Sequence, residues 1–502
     1  MPAVNIGRDA AFIESNAQAR CKVSLIPLYM KKLATTLLLF ATVVSATAGG
    51  LMTNTNQSAS FLRSIARGTS LDPDAVYNNP AGVVFMADGW HLGLTNQMAW
   101  QTRQTESTFA AFAQGEGNHG ATKTFQGKVF SPIIPSFQLA WKKNRWAVMA
   151  GMGVNGGGGR VKYDDGLASF ERQYAVLPTA VSALGQPFGL SADKYGMNMH
   201  FVGTLMTLQF QVGAAYRITD WLSASVLLRV GVTSNKYEGY MKDIRINPTC
   251  AAFNLTGQMI PAAQFFQLVA DRLPTVGMGD LAPEALKYAA LTADHSLDVK
   301  QTGTSLSPVI ALAVHKGKWD AAVKYEFKMP TEVKVKSSAA SAADPVINGI
   351  FPDGTKMKSE TPALLTVAAS RWCGPVKITA EWHHYFDKDA DNSFKQNGTV
   401  KGNTNEYLIG AEWQLSKRWL VSAGYQQTVY DLDAAHYSDM NFVTSSFSLG
   451  FGAAYQVSRA LRLNLGTMST FYDKVTNDLG NGNKDVYSRK NSVVGIGLDF
   501  KF

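Results

Sequence analysis

The sequence predicts an all-β protein, a 14-stranded antiparallel transmembrane β-barrel with an N-terminal hatch, or plug, inside its lumen. Three observations predict it. Apolar residues recur at every second position in many short segments. These segments come in pairs joined by very short polar turns, while the connections between pairs are long, and aromatic residues mark the segment ends. Composition agrees: of 502 residues 46% are hydrophobic, 17% are charged and 11% are aromatic. The apolar content is spread along the chain and nowhere fills the roughly 18 residues a helix needs to span a bilayer. Disorder is excluded by the amount of apolar surface available for burial.

The first element is a leader. Met30-Lys31-Lys32 is a positive start, Leu33 to Val44 an apolar middle and Ala46-Thr47-Ala48 a small-residue cleavage site, the three-part pattern of a secretory signal. Met30 is therefore the expected start, residues 1–48 the signal-peptide region, 49–88 the hatch and 89–502 the barrel. The net charge of +9 falls on cleavage but stays positive, which suits anionic lipid headgroups. No dense Lys/Arg cluster is present, so nucleic acid is not an expected partner. Cys250 and Cys373 are too few for a disulfide framework, and no Cys/His spacing suggests a metal or cofactor.

Gly49 to Asp88 is rich in Asn, Ser, Gly and Pro, does not alternate, and ends in Tyr77-Asn78-Asn79-Pro80-Ala81-Gly82. A barrel of this strand number is wide enough to need a plug, and this segment is the natural one. Strands follow near 90–103, 133–142, 146–155, 203–218, 221–235, 296–315, 319–335, 357–372, 375–386, 404–415, 419–428, 442–457, 461–472 and 491–502. The cleanest alternation sets Val443, Phe447, Leu449, Phe451, Tyr455 and Val457 on an apolar face. A second sets Trp319, Val323, Tyr325, Phe327 and Met329 outside, with Lys324, Glu326 and Lys328 inside. An even strand number puts both barrel termini at the periplasmic end, where the expected turns include Lys143-Asn144-Arg145, Lys316-Gly317-Lys318 and Cys373-Gly374. Trp90 and Trp100 share a face about one membrane thickness apart and fit the two interfacial girdles. The last strand alternates to a terminal Phe502, resembling the assembly signal of outer-membrane proteins. In the loop after the fifth strand, Ala262 to Leu273 and Pro283 to Leu291 predict two helices, the first with Phe265, Leu268, Val269 and Leu273 on one face.

With these residues in view, the sequence resembles the FadL/TodX type of outer-membrane transporter for long-chain fatty acids and related compounds. The resemblance is carried by Gly50-Leu51, Asn56-Gln57-Ser58-Ala59, Ala66-Arg67-Gly68, Asp74-Ala75 and above all Asn79-Pro80-Ala81-Gly82, which looks like the hatch signature. Pro132-Ile133-Ile134-Pro135, Ala215 to Ser223 and Tyr325-Glu326-Phe327 continue it. It implies a plugged barrel in the Gram-negative outer membrane that passes hydrophobic molecules inward without an energy source. It also implies a third strand kinked inward at Asn155, Gly156, Gly157, Gly158 and Gly159 to open the wall sideways. A capture groove is implied on the long loops at Phe265, Phe266, Leu268, Val269 and Leu273. Expected partners are a hydrophobic ligand such as a fatty acid, outer-membrane lipid and lipopolysaccharide, and the barrel assembly machinery.

Other patterns are weaker. Gly151-Met152-Gly153-Val154-Asn155-Gly156 fits a dinucleotide fingerprint, yet no helix follows it. His383 and His384 point to opposite faces of a strand and cannot chelate one ion together. Inward Arg229, Lys324, Glu326, Glu381, Glu412 and Arg462 read as a salt-bridged lumen wall in preference to acid/base catalysis. No nucleophile context appears, and no catalytic residue is expected. The alternatives are a porin for polar solutes and, from the enzyme class, a barrel lipid hydrolase.

Overall fold

The computed structural model describes residues 53–117, 120–185, 189–391, 399–440 and 442–502. The leader, 1–48, lies outside them. The described chain closes into a barrel of 14 antiparallel strands. In chain order these are β1 (Gly89–Thr108), β2 (Thr122–Lys143), β3 (Trp146–Tyr163), β4 (Tyr195–Arg217), β5 (Leu222–Ile246) and β6 (His295–Lys316). Next come β7 (Trp319–Glu326, resuming at Glu332–Ser337), β8 (Lys356–Lys358 and Leu364–Cys373), β9 (Val376–Tyr385) and β10 (Thr404–Gln414). The last are β11 (Trp419–Val429), β12 (Ser446–Gln456), β13 (Leu461–Tyr472, resuming at Val475–Gly480) and β14 (Asn483–Lys501). β14 pairs with β1 along its length, and Trp90 and Phe502 exchange backbone hydrogen bonds of 2.6 and 3.0 Å at the seam. Closure removes the two free edge strands an open sheet would present to lipid, where an unpaired backbone group has no water to bond. No described helix is long and apolar enough to cross a membrane.

The turns fall where the sequence places them, and Asn144, Gly317 and Gly374 supply the positive φ that tight hairpins require. Trp90, Trp100, Trp146, Trp221, Trp319 and Trp419 are all exposed on the outer surface. Rings pair across strands there, Trp146 with Tyr216 and Trp419 with Tyr455 at one end and Trp100 with Phe130 at the other.

Several strands outrun their expected limits. β2 begins at Thr122, β3 runs to Tyr163, β4 begins at Tyr195, β5 runs to Ile246 and β14 begins at Asn483. Beyond the hydrocarbon band both faces of a strand can be polar, so pairing continues without a period-two signal. Two side chains expected on the lipid face are inside. Met329 is buried because β7 breaks between Glu326 and Glu332, and Val443 is buried because β12 starts only at Ser446.

Helix α1 (Ala59–Ser64) lies inside the bore, and above the wall lie α2 (Ala168–Ala175), α3 (Leu177–Gly185), α4 (Ala262–Arg272) and α5 (Ala282–Leu291). A further short helix, α6 (Pro345–Ile350), sits in the loop between β7 and β8. Apart from α1, these helices belong to the long loops and roof one end of the barrel.

Candidate functional site

Residues 53–86 lie inside the barrel and are almost entirely buried. α1 starts at Ser58, whose hydroxyl accepts the Phe61 N–H at 3.0 Å. Asn79 accepts the Gly82 N–H at 3.2 Å and donates to the Ser70 carbonyl at 3.1 Å, with Pro80 opening a 3₁₀ turn. Pro loses nothing at such a position, because its missing N–H would have no partner in the turn. Ala81 is fully buried, and its carbonyl accepts from Ser223 at 2.7 Å.

Inward charges of the wall hold this segment. Glu412 of β10 bonds Arg63 at 2.6 Å and Arg67 at 2.9 Å, and Arg67 also reaches Asp74 at 2.8 Å. Arg462 of β13 bridges Asp72 and Asp499, each at 2.8 Å. Glu381 accepts the Gly68 N–H at 2.7 Å and pairs with His383 at 2.6 Å. Lys324 donates to the Tyr77 carbonyl at 3.0 Å and Gln211 to that of Val76 at 2.7 Å. Arg229 pairs with Glu326. Buried charge is tolerated only when paired, and here pairing joins wall to segment.

The wall itself is interrupted at one place. β2 pairs with β3 at Gly127 to Val129 and again from Phe137, with no ladder between. On β3 the pairing with β4 slips twice, between Val154 and Gly156 and between Gly157 and Gly159. Gly157 has φ of +72°, and a Cβ there would stand 2.2 Å from the Leu205 carbonyl oxygen. Thus the five residues Asn155, Gly156, Gly157, Gly158 and Gly159 form two bulges opposite the gap. On the β2 side Pro132 and Pro135 have no N–H to offer a ladder. The Ile134 N–H is instead taken by Asn96 at 3.1 Å. From inside, the N-terminal segment meets the gap: Asn54 N–H donates to the Asn155 carbonyl at 2.6 Å and Gln57 to that of Val154 at 2.7 Å. A space of mixed lining lies here, with Asn54, Asn56, Gln97 and Asn491 beside Val129, Ile134, Val154, Met468 and Val493. Outside, Ile133 is 73% exposed, the wedge of an apolar outer rim.

At the outer end of the bore is a second space, lined by Val161, Tyr163, Leu167, Phe170, Phe201, Tyr237, Met241, Leu297, Ile347, Ile350, Phe351 and Met440. Among the described residues no charged side chain lines it. Phe170 stacks on Phe201 at 5.2 Å and Tyr237 on Phe351 at 5.1 Å. α4 and α5 pack as a hairpin beside it. Phe265 is buried, Phe266 lies between Phe265 at 5.1 Å and Tyr288 at 5.3 Å, and Val269 packs against the same core. Leu268 and Leu273 are half-buried.

Sequence reasoning missed three parts of this site. Pro132 and Pro135 carry a signal in hindsight, since two prolines within one alternating segment mark a place that cannot pair. Asn96 and the lining of the outer cavity carry none, because their partners are distant in sequence.

The closed barrel of 14 antiparallel strands is a fold shared with solved barrels of the FadL and TodX type. The fold is similar to that of a Pseudomonas aeruginosa FadL homologue, with a TM-score of 0.59 at 15% identity over 90% of this chain and 100% of that one. It is similar also to the toluene transporter TodX of P. putida, with a TM-score of 0.53 at 13% identity over 90% and 98% of the two chains. No protein-family model and no curated protein sequence matches the chain.

Proposed function

We propose that this protein admits hydrophobic small molecules, long-chain fatty acids first among them, and releases them sideways through the gap between β2 and β3. The observation that supports this reading is the apolar, largely aromatic lining at the outer end of the bore, set above a stretch where inward charges pair across the lumen. Each buried CH₂ contributes about 0.8 kcal/mol, so an acyl chain enters such a chamber without coupled energy. The half-buried apolar residues of α4, Leu268 and Leu273, serve first contact, and residues 53–86 act as the hatch that keeps polar solutes out. The amides of Asn54 and Gln57 must then leave the inner mouth of the gap for a ligand to pass. A second reading, a neutral aromatic hydrocarbon, is favoured by the aromatic lining and the absence of a cation in it.

Uptake of a long-chain fatty acid, of toluene and of a small sugar by cells at equal barrel levels tests the proposal, beside binding to purified protein. Ile350→Asp, which places a charge in the chamber, should weaken hydrophobic binding by roughly tenfold or more. Sugar flux through the parent without hydrophobic uptake would replace the reading with a porin.

A further inference from the structure

The outer face of the wall carries a feature that transport does not use. Lys236 of β5 stands directly opposite Lys300 of β6, and Lys300 opposite Lys336 of β7. All three point outward, since their chain neighbours Asn235, Val299, Gln301 and Val335 are buried. The row extends both ways: Arg160 of β3 reaches Lys236 through Thr204, and Lys334 lies on the same face of β7 as Lys336. Like charges directly opposite one another in a sheet are destabilising. Neutralisation within the chain is partial. Lys236 pairs with Glu238 at 2.7 Å, but among the described residues no ion pair joins Lys300, Lys334 or Lys336 to a carboxylate.

The height of the row says what can cover it. On β5 the exposed apolar run ends at Val232. Lys236 lies about 13 Å further along the strand at roughly 3.3 Å per residue, hence about 10 Å higher along the membrane normal at a tilt near 40°. That is headgroup depth, and lysine stems bend toward it.

We infer that the row on β3 and β5 to β7 is a docking surface for the phosphorylated headgroup of an acylated glycolipid in the outer leaflet, of the lipid A kind. Its acyl chains lie on the apolar band ending at Val232, and its phosphates take the place of the missing carboxylates. The inference is independent of the transported ligand.

The test uses the full-length barrel in neutral detergent, with bisphosphorylated lipid A and its dephosphorylated form as probes, read by native mass spectrometry and thermal unfolding. The parent should retain and be stabilised by the phosphorylated lipid alone, and millimolar inorganic phosphate should not displace it. The double variant Lys300→Gln/Lys336→Gln should lose about fivefold in affinity for each charge removed. Without lipid its Tm should equal or exceed the parent's, because repulsion is relieved. Lys490→Gln, on β14, is the control and should bind as the parent does. Should the double variant fail to fold, Lys334→Gln carries the same expectation. Equal binding of both lipids, parent-like binding by the lysine variants, or an equal loss in the control overturns the inference.

Discussion

On β10 to β14 glycines stand opposite one another with ordinary φ: Gly410, Gly424 and Gly450 in one row, Gly452, Gly466 and Gly495 in the next. On β3 the glycines instead break the register, and Gly157 does so with positive φ. The first set is a flat track for the bore helix. A Cβ on Gly410 or Gly424 would stand 2.2 or 2.3 Å from the Ser64 carbonyl oxygen, and one on Gly450 would stand 2.4 Å from that of Leu62. One residue type thus does two jobs: close approach on a wall that stays fully paired, and bulging on a wall whose ladder is interrupted. The teaching is that glycine density in a strand does not say which side of a barrel gives way; its cross-strand partners do.

The largest expected effect breaks the closed side. Glu412→Gln removes the carboxylate shared by Arg63 and Arg67 and leaves the buried Arg63 guanidinium with only neutral side-chain acceptors, the new amide oxygen and the Ser422 hydroxyl at 3.1 Å. Breaking one partner of a buried pair costs about 3–5 kcal/mol, so residues 53–86 should loosen and ion conductance in planar bilayers should rise toward that of a barrel deleted for 49–88. Gly424→Val attacks the same side by bulk, at about 1–3 kcal/mol or more. It should expose α1 to added protease while the barrel stays heat-modifiable. Unchanged conductance in both variants would mean that the glycine track does not hold residues 53–86 in a closed bore.

On the side with the interrupted ladder Gly157→Val cannot adopt φ of +72° without strain and favours a regular strand. Hydrophobic uptake should fall while binding to purified protein and ion conductance stay at parental levels. A rise in conductance there would erase the distinction between the two walls.

The smallest effect is confined to one outer loop. Burial pushes the His436 imidazole down to about 4 from its ordinary 6.5. Its folded pKa is depressed, so the unfolded loop binds the proton first. The stability the loop draws from neutral His436 is present above about pH 6.5 and is lost as pH falls toward 4. Hydrogen exchange of residues 430–440 should accelerate across that window, and His436→Gln should abolish the pH dependence.

Much of the fold was legible because the bilayer imposes a local rule. Hydrocarbon outside demands an apolar side chain at every second position, so Trp319, Val323 and Phe327 announce their face from one short stretch of chain, and turns such as Lys316-Gly317-Lys318 close pairs that are adjacent in sequence. Strand number, girdles and the charged lumen wall follow from that rule alone. The rule lapses where the strand leaves the hydrocarbon, which is why β2 to β5 proved longer than their pattern. What the tertiary structure alone decided rests on pairs far apart in the chain: Arg63 with Glu412, 349 residues away, and Asn54 with Val154, 100 residues away. Which glycines carry a helix, where the ladder fails and which side chains line the outer chamber depend on such neighbours. No local period encodes them, because they are chosen by closure of the sheet and by what fills it.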